Sequence, residues 1–132
     1  MFLASLGLSI LQCAPTPSLP SQVPPNIRIF PKPFEEVWKV IMNVVQVDLL
    51  LPIEVSDPQK GYFSTQLVFE DQAFLKTKFR LSGTLEFDGQ TTTVKLYKHQ
   101  QIQELDGWKT IPSELMLEQK VLHLVEKKLR SK

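Results

Sequence analysis

Cys13 is the residue whose chemistry its surroundings specify most clearly. It is the only cysteine, so the monomer holds no internal disulfide, and it stands where an apolar run gives way to prolines. A thiol at such a junction is placed for acylation. Elsewhere the chemically capable side chains lack the company that catalysis or metal binding requires. His99 and His123 are the only histidines, and neither belongs to a cluster of His, Cys and carboxylates that would suggest a metal site. His123 falls beside an apolar helical stripe and reads as a surface or boundary residue. His99 stands among Lys98, Gln100 and Gln101 and reads as a solvent-facing strand residue. No serine has a Gly-x-Ser-x-Gly context, and five glycines in the whole chain supply no glycine-rich phosphate loop. No catalytic residue, metal or cofactor is therefore expected.

The run Phe2-Leu3-Ala4-Ser5-Leu6-Gly7-Leu8-Ser9-Ile10-Leu11 is too short to cross a bilayer, which takes roughly 20 residues, but it matches the apolar region of a signal peptide. Gln12-Cys13-Ala14 lacks the small-residue pattern of ordinary secretory cleavage and resembles a lipoprotein box with Gln12 at the position before the cysteine. Nothing basic precedes Arg28, so a positive leader region is missing. The expectation is that residues 1–12 are a lipoprotein signal peptide and that Cys13 becomes an acylated N-terminus. Membrane attachment then follows from about 0.8 kcal/mol per buried CH₂, with more than one acyl chain needed for lasting anchorage. The expected place is the cell envelope, on the periplasmic face of the outer membrane.

Residues 14–33 hold seven of the ten prolines, so residues 13–33 read as a lipidated cysteine and a proline-rich tether. Proline favours polyproline II at about 3.1 Å per residue, which makes a semi-rigid spacer. Residues 34–132 read as one domain. Arg28 and Lys32 are the only charged residues before it, which leaves 13 Lys+Arg against 14 Asp+Glu. Such balance argues against a nucleic-acid binder, which would show a strongly basic stripe.

Within the domain, Phe34, Val37, Trp38, Ile41, Val44 and Val45 repeat at helical spacing, with Glu35 and Glu36 favourably placed in the first turn and Pro33 at the first helical position. Asp57-Pro58-Gln59-Lys60-Gly61 is a turn, followed by a strand from Tyr62 to about Phe69. Leu75, Thr77, Phe79, Leu81, Leu85 and Phe87 then alternate with Lys76, Lys78, Arg80, Ser82, Thr84 and Glu86, the period of a strand with one buried and one wet face. Gly83 interrupts the buried row, as a bulge or a close approach of the first helix would require. Asp88-Gly89 signals a hairpin into a third strand, Thr91 to about Gln101, with Val94 and Leu96 inward. Pro112 or Ser113 opens a last helix with an apolar stripe from Leu115 to Leu129 and cations at its C-terminal end. The expected fold is α+β: an antiparallel meander of three to four strands with N- and C-terminal helices packed on one face. The other face, carrying Tyr62, Lys76, Lys78, Arg80 and Tyr97, is left for a partner; Trp108, after the Asp106-Gly107 turn, reads as a lid over the core end or, if exposed, as an interface mark.

With these elements placed, the chain resembles the helix-grip domain of the BamC family of outer-membrane assembly lipoproteins. The matching residues are Phe34-x-x-Val37-Trp38, then Asp57-x-x-x-Gly61-x-x-x-Thr65, then Lys76-Thr77-Lys78-Phe79-Arg80-Leu81, and Trp108 ahead of a C-terminal helix. The resemblance implies a helix-grip fold, an envelope location and a partner in the outer-membrane assembly machinery. Two functions are open. One is a lipid-anchored, non-enzymatic protein-interaction module. The alternative is a small helix-grip carrier whose apolar ligand lies between Phe79, Leu81, Leu85 and Leu117, Val121, Val125. About 99 residues leave little volume for both a core and a cavity of 300 Å³ or more, which favours the module.

Overall fold

A computed structural model describes residues 23–72 and 74–131. Cys13 and the apolar run lie outside them. The elements are β1 (Ile27–Phe30), α1 (Phe34–Asn43) with a π-helical turn over Val44–Asp48, β2 (Ile53–Asp57), β3 (Tyr62–Thr65), β4 (Val68–Gln72), β5 (Leu75–Phe87), β6 (Thr92–Glu104), β7 (Gly107–Ile111) and α2 (Met116–Arg130). The fold is α+β, with an antiparallel sheet ordered β2-β3-β5-β6-β1; β4 adds to the free flank of β5, and β7 to that of β6.

The spine is the β5–β6 hairpin, paired without a register break from Thr77↔Ile102 to Phe87↔Thr92. Its turn is set by Asp88, whose carboxylate accepts the N–H groups of Thr91 and Gln90 at 2.8 and 2.9 Å, while Gly89 takes φ +101°. The Thr91 and Gln90 hydrogen bonds hold the Asp88 carboxyl below the usual carboxylate range. Alternation then turns Phe79, Leu81 and Leu85, with Val94 and Leu96, to one face. Both helices cover that face, and Val37, Val40, Ile41, Val121, Leu122 and Val125 close the core. Gly83 lies in the same row. A Cβ there would stand 2.5 Å from the Phe63 ring and 2.7 Å from Leu96, so the glycine is the space that the ring occupies. Phe63 in turn meets Trp38 edge-on at 6.3 Å, and Trp38 stacks on Phe34 at 5.7 Å, which seats α1 on the sheet. Of the two readings of Gly83, close approach is the one realised, by Phe63 and Leu96 rather than by helix backbone.

The long strands lose their neighbours at one level. β3 pairs with residues 82–84 of β5 and β4 with residues 75–79, while β1 pairs with residues 92–95 of β6 and β7 with residues 100–104. Between these pairings lie Leu81 and Lys98, which are register partners. Each points its N–H outward, and each is met by a side chain. Thr65 Oγ1 accepts Leu81 N–H at 3.0 Å, and Glu118 Oε2 accepts Lys98 N–H at 3.1 Å. Glu118 is fully buried, and its other oxygen accepts the Ser113 hydroxyl at 3.0 Å.

The structure extends and corrects the expected outline. The sheet has seven strands rather than three or four. β1 was assigned to the tether. Its four residues lie between proline pairs, but prolines flank an edge strand without cost, and Phe30 enters the core. Asn26 fastens its start, accepting Leu96 N–H and donating to Leu96 O, both at 2.9 Å. The ordered domain therefore begins before residue 34. The strand expected over 62–69 is two strands, β3 and β4, because the chain steps at Gln66 and Leu67. Pro33 precedes the helix as its extended cap instead of opening it. The last helix starts at Met116, after Leu115 adopts φ +71° and donates its N–H to Ser113 Oγ.

Replacing either cap should expose a buried, unpaired N–H. Thr65→Val and Glu118→Ala are each expected to destabilise the domain by about 1–3 kcal/mol, read from urea unfolding midpoints. Wild-type midpoints for both would contradict this account of the ribbon.

Candidate functional site

Because residues of a strand alternate, the face opposite the helices is fixed by the same register. It carries Lys76, Lys78, Arg80, Ser82 and Thr84 from β5, Tyr97 and His99 from β6, and Tyr62 and Ser64 from β3. A hollow of about 440 Å³ opens on it, lined by Tyr62, Leu67, Lys78, Arg80, Ser82, His99, Gln101 and Thr110 with the backbone of Gln100. Arg80 and His99 are register partners at its centre. Arg80 is held from one side: its Nε donates to Thr65 O at 3.1 Å and its Nη2 reaches Glu54 at 3.0 Å. Gln101 donates to Thr110 Oγ1 at 3.2 Å.

At one end of the hollow the Lys78 side chain is roofed. Phe69 on β4 and Trp108 on β7 stand on opposite sides of the β5–β6 ribbon, three strand spacings apart, or about 14 Å. Their ring centroids are nonetheless 6.3 Å apart, edge to face. Both rings therefore lean inward over Lys78 and Gln101. Lys78 Nζ lies 4.2 Å from the Trp108 centroid, a cation–π contact that holds the ammonium under the roof.

Of the six surface residues expected from the sequence, Tyr62, Lys78 and Arg80 line the hollow, and Trp108 lies beside it over the Lys78 ammonium. Tyr97 lies on the same face opposite Ser82, and Lys76 opposite Asp71, both outside the lining. Trp108 is not a lid over the core end: alternation along β7 places it on the open face. His99 is solvent-facing as expected, but its position across from Arg80 puts it in the hollow. Ser82 is on the wet side of β5 as expected but was not counted in the site, and Phe69 and Leu67 were missed. Their only signal was the unrecognised break after Thr65, which changes which strand flanks Lys78. His123 is exposed on α2. The stripe proposed for a carrier cavity is closed core: Leu81, Val121 and Val125 are wholly buried, with Phe79 and Leu85 nearly so.

No family model matches the chain, and comparison with curated proteins finds no match. No helix among the described residues is long and apolar enough to cross a membrane, and no group of three or more metal-ligating side chains occurs among them.

The roof is a local contact rather than part of the core. A Phe69→Ala, Trp108→Ala double-mutant cycle should give a coupling of about 0.5–1.5 kcal/mol in urea unfolding. Zero coupling would mean that the rings do not meet in solution.

Proposed function

We propose that this chain is a membrane-anchored, non-enzymatic protein-interaction module of the cell envelope, attached through acylated Cys13 and working through the open sheet face. The observation that carries the reading is the division of the sheet. Both helices are spent on one face, and the other presents aromatic residues around cations with a hollow at the centre. Aromatic and arginine side chains are the ones enriched where proteins bind each other. The resemblance to the BamC family supports an accessory role in outer-membrane protein assembly, with the assembly machinery as partner. A carrier of apolar ligands is disfavoured because the side chains that would line its cavity are packed against one another.

Two measurements test this. Metabolic labelling with a clickable fatty acid should mark the wild-type chain in the outer-membrane fraction and leave Cys13→Ala unlabelled. Label absent from both would remove the anchor. A photocrosslinking amino acid at Tyr97 should trap an envelope protein, whereas one at Lys120, exposed on α2, should not. Equal crosslinking from both positions would deny the open face its role.

A further inference from the structure

The floor of the hollow contains an unanswered polar group. Ser82 is 8% exposed, lines the hollow, and its hydroxyl has no hydrogen-bond partner among the described residues. Buried hydroxyls are ordinarily paired, with protein or with water, so this one is free to bond a group that enters the hollow. Around it, the lining includes two cations and a histidine but no carboxylate. Glu54 sits on the far side of Arg80, where with Thr65 O it engages Nε and Nη2, and no described group engages Nη1. The site is therefore complementary to negative charge.

Its shape restricts the ligand further. Lys78, Arg80 and Ser82 are alternate residues of β5, so their side chains repeat at about 6.7 Å, the spacing of alternate side chains in any extended chain. An extended chain with carboxylates on alternate residues matches that spacing, one carboxylate to each cation. Gln101 and Thr110 offer amide and hydroxyl groups beside this row, as a peptide backbone requires, and Tyr62 and Leu67 supply apolar wall.

We propose that the hollow receives an extended peptide segment of the partner protein that bears carboxylates at alternate positions. Two of its carboxylates meet Lys78 and Arg80, and its next inward group bonds the Ser82 hydroxyl. The proposal rests on the interaction-module reading and specifies the partner's chemistry.

The test is fluorescence anisotropy of the full chain with fluorescein-labelled Ser-Glu-Ser-Glu-Gly-Ser, against the isomer Glu-Glu-Ser-Ser-Gly-Ser. Saturable binding that favours the alternating peptide is expected. Lys78→Gln and Arg80→Gln should each weaken it about tenfold, as for one lost charge-assisted hydrogen bond, and Ser82→Ala should weaken it less. Lys120→Gln should leave it unchanged. Circular dichroism checks the fold of each variant, and since Arg80 also bonds Thr65, Lys78→Gln decides if Arg80→Gln unfolds. Equal binding of the two isomers, or wild-type binding by Lys78→Gln, overturns the proposal. So does displacement by inorganic phosphate at peptide-like concentrations, or uptake by phosphatidylglycerol vesicles without peptide binding. Peptide failure with Tyr97 crosslinks intact would reject this ligand and keep the module; failure of both would reject the module as well.

Discussion

In the middle of the long hairpin, Leu81 and Lys98 face each other and turn their N–H groups outward to flanks where no strand runs. A buried amide without a partner costs about 1–3 kcal/mol, so two at one level would be a serious defect in a small domain. The Thr65 hydroxyl and the Glu118 carboxylate remove it. These two contacts allow the sheet to change neighbours halfway along without opening. At one end β3 and β1 flank the hairpin beneath the helices; at the other, β4 and β7 flank it. Glu118 also ties the start of α2 to this level through Ser113, so helix placement and strand exchange share a residue.

The exchange of neighbours produces the candidate site. Were β3 to continue beside β5, Phe69 would not stand across from Trp108, and Lys78 would lie on an open ribbon. Stepping the chain at Gln66 and Leu67 sets Phe69 beside Lys78, where its ring meets Trp108, the ring that holds the ammonium. Gly83 performs the corresponding service on the covered face, where its missing side chain admits Phe63 and, through Trp38 and Phe34, seats α1. One strand thus sets both surfaces, and its register cannot slip by a residue without exchanging them.

The clearest parts of the sequence were those in which a single period persists. β5 was legible from Leu75 to Phe87 because thirteen residues alternate without exception but for Gly83, and α1 because its apolar spacing begins at Phe34. Short edge strands carry too few residues to establish a period. β2 and β4 are five residues each and rich in Glu, Asp, Ser and Gln, and β1 is four residues among prolines. The cations of the site were visible as the wet half of β5, whereas Ser82 and Phe69 gained significance only from the strands beside them. Glu118 was hidden for a related reason. A carboxylate in an amphipathic helix reads as solvent-facing unless the unpaired amide that it serves is known.

The central claim is that the hairpin divides the molecule into a helix-covered face and an open face. Hydroxyl-radical footprinting, read by mass spectrometry on the isolated chain and on native outer membranes, tests it directly. The account requires Phe63 to be protected in both samples, and Tyr62, Tyr97 and Trp108 to react in the isolated chain and become protected in membranes. Oxidation of Phe63 at the rate of Tyr97, or full reactivity of Tyr62, Tyr97 and Trp108 in membranes, would contradict it.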